Sequence, residues 1–425
     1  MKKKLLIIEL NEFNVELLKY SSKILDLKNI KILLNMCPIE TICQQKIEHQ
    51  GLDPWVQWVS VHTGKPKEIH KIKHLGEVRN LTNIQIWDKL SEMGISSGIW
   101  GAMNASRNNS KNCLFFFPDP WTFTEKCFPK SLNNFLALPR YYSKNYLSLS
   151  KLEILKKVFK LTNFLIFKLN PLKIIRELLF AIYSLTKIGL NNIFLFSIFD
   201  LISTKIFLIY KNKYNPDFSI IFLNSLAHTQ HHSWSKNNLN KELKFNIKVI
   251  DKIIGMILKN INEKDGLIIL NGLSQKNVEG EDYCIYRQKD PKLFLKFLNI
   301  NFINLEQCMT NECHIFFNNS EELERAIKII SSIKINNEEI FIIDNSMKSN
   351  LKIFYQFNYF KPIDKNQTFT INNKQYPFYK YFELIANRTG SHVPICNIYS
   401  KNIELYKIKY NYDIFEKIIN YFQIN

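Results

Sequence analysis

The densest chemistry in this chain is the run Leu223-Asn224-Ser225-Leu226-Ala227-His228-Thr229-Gln230-His231-His232-Ser233-Trp234. Three of the nine histidines fall within five residues, directly after an apolar run that reads as a strand. Imidazoles can bind a metal, shuttle protons or hold a phosphate. If the segment turns into a helix, His228 shares a face with His231 or His232, a spacing compatible with metal ligation. A polar strand end whose imidazoles cap backbone groups is the simpler alternative. A second constellation is Asp53-Pro54-Trp55-Val56-Gln57-Trp58-Val59-Ser60-Val61-His62-Thr63-Gly64. Asp53 suits a helix N-cap, Pro54 the first helical position and Gly64 the end. Two Trp three apart fit core packing. Gln57, Ser60 and His62 are harder to explain by packing, and Asp53 can also serve as a base. Further polar groups follow apolar runs at Glu9, Asn11 and Glu12, and at Asn271, Ser274 and Gln275; His392 stands in a loop near the end.

Short apolar runs must position these groups. Lys4–Leu10, Ser96–Gly101, Phe218–Leu223 and Gly266–Leu270 read as strands, each followed by a polar turn, as at the carboxyl edge of a parallel sheet where open α/β folds bind ligands. Helices are expected from about Val15, from Asp53 to Gly64, over Ile84–Met93, over Asn240–Asn260 and from about Asp413. The aromatic stretch Phe115-Phe116-Phe117-Pro118-Asp119-Pro120-Trp121 reads as a loop on its turn residues. Residues 150–212 are rich in Leu, Ile and Phe with Lys and Arg among them, and read as amphipathic helices. Lys168, Pro171, Lys173, Arg176, Lys187 and Asp200 interrupt them, so a membrane span is not expected. Two uses remain for this segment: a helical cap packed on the core, or a basic amphipathic surface that touches lipid.

Order and spacing together resemble the alkaline-phosphatase superfamily, in particular its type I phosphodiesterase/nucleotide pyrophosphatase branch, over about residues 4 to 400. That family starts with a strand and a metal-binding Asp-Gly, matched here by Ile7-Ile8-Glu9-Leu10-Asn11-Glu12. A nucleophile-bearing helix ends in Trp-x-Ser-x-x-Thr-Gly, then Pro and His; here Trp58, Ser60, Thr63-Gly64, Pro66 and His70. A later Asp-x-x-x-His corresponds to Ala227 to His231, an Asp-His-Gly to Gly272-Leu273-Ser274, and a last His to His392. The resemblance implies a three-layer sandwich with a mostly parallel central sheet, and activity on phosphoesters. Several positions depart from the pattern. Asn11 replaces the first metal Asp, Pro54 stands at the nucleophile beside Asp53, Ala227 replaces an Asp, and Gly272-Leu273 replace Asp-His. Only His231 and His392 keep the family's ligand type. A two-metal mechanism needs about six ligands, which this set does not supply.

Bulk properties narrow the classes. The chain has 425 residues and a formal net charge of +19, which favours phosphate-bearing partners or an anionic surface, although heavy Lys use also yields a merely solvated surface. No RGG tract, zinc-finger spacing or aromatic RNA-binding motif is present, so nucleic acid is not an expected partner. The eight cysteines include no CxxC pair and read as free thiols of a reducing compartment. The apolar run at the N-terminus ends at Glu9, too soon for a secretory signal. The expectation is therefore an α/β protein of the alkaline-phosphatase type. Its core spans 1–149 and 213–425, with a helical cap inserted at 150–212. It is placed in the cytoplasm or at the inner face of the membrane. Asp53, His228 and His231 are its candidate catalytic groups. Glu9, Asn11, Gln57, Ser60, His62, His232, Asn271, Ser274 and Gln275 are its candidate binding groups. One zinc or manganese on His231, His392 and a carboxylate is the candidate cofactor. The expected function is hydrolysis or transfer at a phosphate- or sugar-bearing substrate or lipid-linked precursor; the alternative is a non-catalytic binding member of the same fold.

Overall fold

The computed structural model describes residues 3–44, 52–107, 110–146, 149–236, 238–308 and 310–423. Its centre is a sheet built from β1 (Leu5–Leu10), β2 (Ile39–Ile42), β3 (Ser97–Trp100), β4 (Cys113–Phe117), β5 (Phe218–Leu223), β6 (Gly266–Leu270) and the strand Ile395–Lys401. The order is β2, Ile395–Lys401, β6, β1, β5, β3, β4. β1 pairs in parallel with both β5 and β6, and β3 runs parallel to β5 and β4. Only Ile395–Lys401 runs against its neighbours.

Side chains alternate across a strand, and β1 shows what each face buries. Leu6, Ile8 and Leu10 join one core with residues of the helices Val15–Ile24, Lys28–Leu34, Asn192–Tyr214 and Lys241–Leu258. Leu5 and Ile7 join another with residues of Pro54–Thr63, Ile86–Glu92 and Ile414–Gln423. The result is a three-layer α/β/α sandwich with a mostly parallel sheet, as the resemblance implied. Glu9 shares the second face, and the helix Pro54–Thr63 brings a partner to it. The parallel strands β1, β5 and β6 end at one edge, so Asn11, Glu12, Asn224 and Asn271 emerge side by side.

The chain forms two compact units. Met1–Tyr141, Ser150–Asn277 and Gly390–Asn425 make the larger; Tyr142–Leu149 and Val278–Thr389 make the smaller. The division thus falls at Val278 and Thr389, inside the stretch assigned from the sequence to one core. The helical segment 150–212, expected as an inserted cap, belongs to the larger unit. The smaller unit has its own core around Tyr286, Phe294, Tyr355 and Phe382, and two four-stranded antiparallel sheets. Its short antiparallel strands lack the long apolar runs that mark parallel ones, so no boundary is visible there in the pattern of residues.

Two elements differ from expectation: His392, read as standing in a loop, lies in the strand Gly390–Val393, and the other is the aromatic stretch after Cys113. Phe115–Phe117, read as a loop, lies in β4. Pro118, Asp119 and Pro120 end that strand, while the three aromatics before them are buried in the sheet. Phe115 is the register partner of Gly98 and lies in edge contact with Trp100, Phe207 and Tyr210. A Cβ at Gly98 would sit 2.2 Å from the Phe115 ring, which those neighbours hold in place. Gly98→Ala is therefore expected to destabilise the protein by about 1–3 kcal/mol, the usual cost of overpacking, read as a lower urea midpoint with unchanged slope.

Candidate functional site

At the carboxyl edge of the sheet, one carboxylate collects groups from four parts of the chain. Glu12 follows β1 in a left-handed conformation, φ 58°. Such a backbone costs a non-glycine residue about 1 kcal/mol or more, and here it turns a buried carboxylate into the cleft. Glu12 Oε2 lies 3.0 Å from His231 Nε2 and 3.0 Å from His392 Nε2. The two Nε2 atoms are 3.2 Å apart. Gln275 Nε2 donates to the same oxygen at 2.5 Å, and Asn11 Nδ2 donates to Oε1 at 2.8 Å.

The histidines are oriented from behind. His231 Nδ1 is 2.9 Å from the Gly390 carbonyl and His392 Nδ1 2.6 Å from the Leu52 carbonyl. A carbonyl only accepts, so both Nδ1 atoms carry protons, and both Nε2 atoms face Glu12. Three lone-pair atoms this close require positive charge among them, from protons or from a bound cation. Burial pushes the Glu12 carboxyl up, but the charges and hydrogen bonds of His392 and His231 outweigh it and hold the group well below the usual carboxylate range.

The donors fit a metal. Glu12, His231 and His392 each offer one ligand atom within 4.8 Å of the others. Corners of a tetrahedron about 2.0–2.1 Å from zinc are about 3.3–3.4 Å apart, close to the separations seen. Two His and one carboxylate, each His held by a backbone carbonyl through its other nitrogen, is a recurrent metal-site chemistry.

Among the described residues this is the one such group of ligand atoms. The Trp58 indole packs beside it on Gly272: a Cβ on Gly272, itself at φ +70°, would approach Trp58 to 2.7 Å. Trp58 Nε1 donates to Asn11 Oδ1 at 2.8 Å, and Asn11 Nδ2 also donates to Asn224 Oδ1 at 2.8 Å. Asn11 is thus used in fixing the turn. Ala227 is buried, and its carbonyl accepts from Gln275 at 3.1 Å.

Several other candidate binding residues turn inward as supports. Asn271 Nδ2 and Ser274 Oγ donate to the Phe13 carbonyl at 2.8 and 3.0 Å, and Asn271 Oδ1 accepts from Asn397 N at 2.9 Å. Gln57 Oε1 accepts from Asn411 at 2.8 Å. Ser60 Oγ lies 3.1 Å from His70 Nε2, while His70 Nδ1 accepts from Ile72 N. Burial, with Lys67 nearby, pushes His70 down to about 4, so it stays neutral and donates to Ser60. Glu9 and His62 form a separate, fully buried pair at 2.5 Å, the His62 ring lying between Trp58 and Trp87. His228 is half-buried, its ring 4.4 Å from Phe196 and 4.6 Å from that of the exposed His232. Asp53 is half-buried at the start of Pro54–Thr63, next to Leu52, whose carbonyl holds His392. Of the candidates, then, the structure gathers His231, His392, Gln275 and Asn11 around Glu12. The sequence left the carboxylate among these unnamed; its position directly after the strand was the available signal.

Solved structures that match along the chain's length include phosphonoacetate hydrolase from Sinorhizobium meliloti 1021, with 10% identity and a TM-score of 0.47 over 99% of this chain and 96% of that one. Murine ectonucleotide pyrophosphatase / phosphodiesterase 5 matches with 8% identity and a TM-score of 0.45, covering 100% and 96% of the two chains. Alkaline phosphatase from the Antarctic bacterium TAB5 gives 10% and 0.42, covering 100% and 99%. No protein-family model and no curated protein matches the sequence. The reading of function below rests on the residues of the cleft.

The helix that carries His231, Ser225–Ser233, is fixed at its start by a buried acid that sequence reasoning missed. Asp200 Oδ2 accepts from Asn224 N at 3.0 Å and Ser225 N at 2.7 Å. Burial raises Asp200 to about 6, against the lowering effect of the Ser225 and Asn224 hydrogen bonds. The folded state therefore holds this proton more tightly than the unfolded chain. Between the ordinary value of 3.8 and about 6, this group's contribution to stability falls as pH rises. The difference amounts to about 3 kcal/mol. In Asp200→Asn that component of the pH dependence should vanish, measured as urea midpoints from pH 4 to 7 beside the parent protein.

Proposed function

We propose that this chain is a single-metal phosphoesterase-like enzyme, hydrolysing or transferring at a phosphate- or glycan-bearing substrate. The observation that carries this reading is the convergence of His231 Nε2, His392 Nε2 and Glu12 Oε2 within 3.2 Å of one another. Zinc or manganese suits this donor set. When bound, such an ion supplies Lewis acidity toward a phosphoryl oxygen.

The protein groups have separable roles. Glu12, His231 and His392 hold the ion; Gln275 and Asn11 keep the carboxylate aligned. Pro54 leaves the family's hydroxyl nucleophile position without a hydroxyl, so the attacking group is Asp53 or a water that Asp53 deprotonates. His228, one helical turn before His231, serves as proton donor to the leaving group. The net charge of +19 favours encounter with anionic substrates. The missing hydroxyl also favours a second reading, a binding member of the fold that holds a phosphate ester without turning it over.

Protein purified without chelator should contain one equivalent of zinc or manganese by mass spectrometry. His231→Ala and His392→Ala should each lose it. Parent protein without metal, or either variant retaining a full equivalent, overturns the metal site. Asp53→Asn should keep the metal and lower turnover of p-nitrophenyl mono- and diesters by about 10²-fold or more. Saturable binding of these esters by metal-loaded parent protein without turnover selects the binding reading.

A further inference from the structure

Half of the exposed large apolar side chains among the described residues, 14 of 28, lie between residues 150 and 195. They form helical stripes. Leu152, Leu155 and Phe159 recur along Lys151–Asn163, a helix with no buried residue. Ile175, Leu179 and Ile182 recur along Ile175–Ile188. Between them, Phe167 is 76% exposed and Leu172 71%. A monomer in water seldom leaves so many large apolar groups together.

The second helix is turned the wrong way for water. Its buried residues are Glu177 and Ser184, while Leu179, Ile182 and Tyr183 face outward at 60–64% exposure. An amphipathic helix packed on a core does the reverse. The charges around the stripes have one sign. Residues 150–195 contain eight Lys and Arg against Glu153 and Glu177. Glu153 is paired with Lys156 and Lys157, and Glu177 is buried against Arg176. Lys151, Lys156, Lys160, Lys168, Lys173, Arg176 and Lys187 are exposed.

Apolar side chains flanked by cations complement an anionic lipid surface, with acyl chains for the first and headgroup phosphates for the second. The segment is not a span. Among the described residues the one helix long and apolar enough to cross, Asn192–Tyr214, has 67% of its apolar window buried in the protein. We infer that residues 150–190 dock the protein in-plane on an anionic phospholipid bilayer. This inference stands independently of the metal site.

Flotation of the full chain with vesicles tests it. Binding should be at least tenfold stronger to phosphatidylcholine–phosphatidylglycerol vesicles, about 7:3, than to phosphatidylcholine alone, and should weaken with added salt. The combined variant Phe159→Ser, Phe167→Ser, Leu179→Ser and Ile182→Ser should lose that binding at least tenfold with its urea midpoint unchanged, since these side chains are exposed. Leu179→Trp should give an indole emission that shifts to the blue on adding the mixed vesicles. No binding by the parent protein, undiminished binding by the serine variant, or a Leu179→Trp emission indifferent to vesicles overturns the inference. So does a parent dimer without vesicle affinity that the serine substitutions dissociate, which would assign the face to a second copy.

Discussion

The cleft depends on one carboxylate held where a carboxylate is conformationally costly. Glu12 stands in the left-handed turn after β1, the position at which a glycine would be unstrained. From there its two oxygens receive Asn11, Gln275, His231 and His392. These residues come from the ends of separate elements, so the carboxylate fixes where β1, the helix after β5, β7 (Ser274–Asn277) and its antiparallel partner Gly390–Val393 meet. Gly390 shows how tightly they meet: a Cβ there would lie 2.1 Å from Gln275 Oε1 and 2.7 Å from the Gln230 carbonyl. Strain that persists because several contacts over-determine it is characteristic of functional positions.

Among the described residues, this geometry gathers one group of three possible metal ligands. The carboxylate at residue 12 places its charge beside His231 and His392. Asn11, before it, is neutral and serves the turn. Trp58 then occupies the space beside Gly272, with its only polar atom bonded to Asn11. The buried Glu9–His62 pair, its imidazole stacked on that indole, belongs to the packing of Pro54–Thr63 on the sheet.

Much of this was legible in the sequence because parallel strands announce themselves. β1, β3, β5 and β6 are short apolar runs that end in polar turns, and that pattern alone places Asn11, Asn224 and Asn271 at one edge. The histidine spacing, with His392, pointed to a metal, and those two rings do meet. Two kinds of information were out of reach. Amides look alike in sequence whether they face a ligand or brace a backbone, and Asn271, Ser274 and Gln57 proved to be braces. Long-range partners leave no periodic trace either. Asp200 lies 24 residues before the amide it accepts from at Asn224, in a helix whose composition reads as core. The antiparallel strands of the smaller unit were illegible for a related reason, since half-exposed alternation in short runs resembles loop.

The helix Asn192–Tyr214 has a different standing in light of both ends of its contacts. It is apolar on almost every side, which would ordinarily mark a span, yet its neighbours Lys241–Leu258 and Ser225–Ser233 cover it. A buried helix of 23 residues is a rod about 35 Å long. Near its start the chain has just left the outward-facing apolar stripes, with Leu190 and Leu195 still exposed. A turn and a half later Asp200 grips the first amides of the helix that carries His231. The rod therefore ties the lipid-complementary segment to the metal-complementary one through packing and two hydrogen bonds, with no flexible linker between them. A protein docked through residues 150–190 would hold its cleft in a fixed orientation to the surface, an arrangement suited to a substrate whose phosphate sits at that surface rather than free in solution.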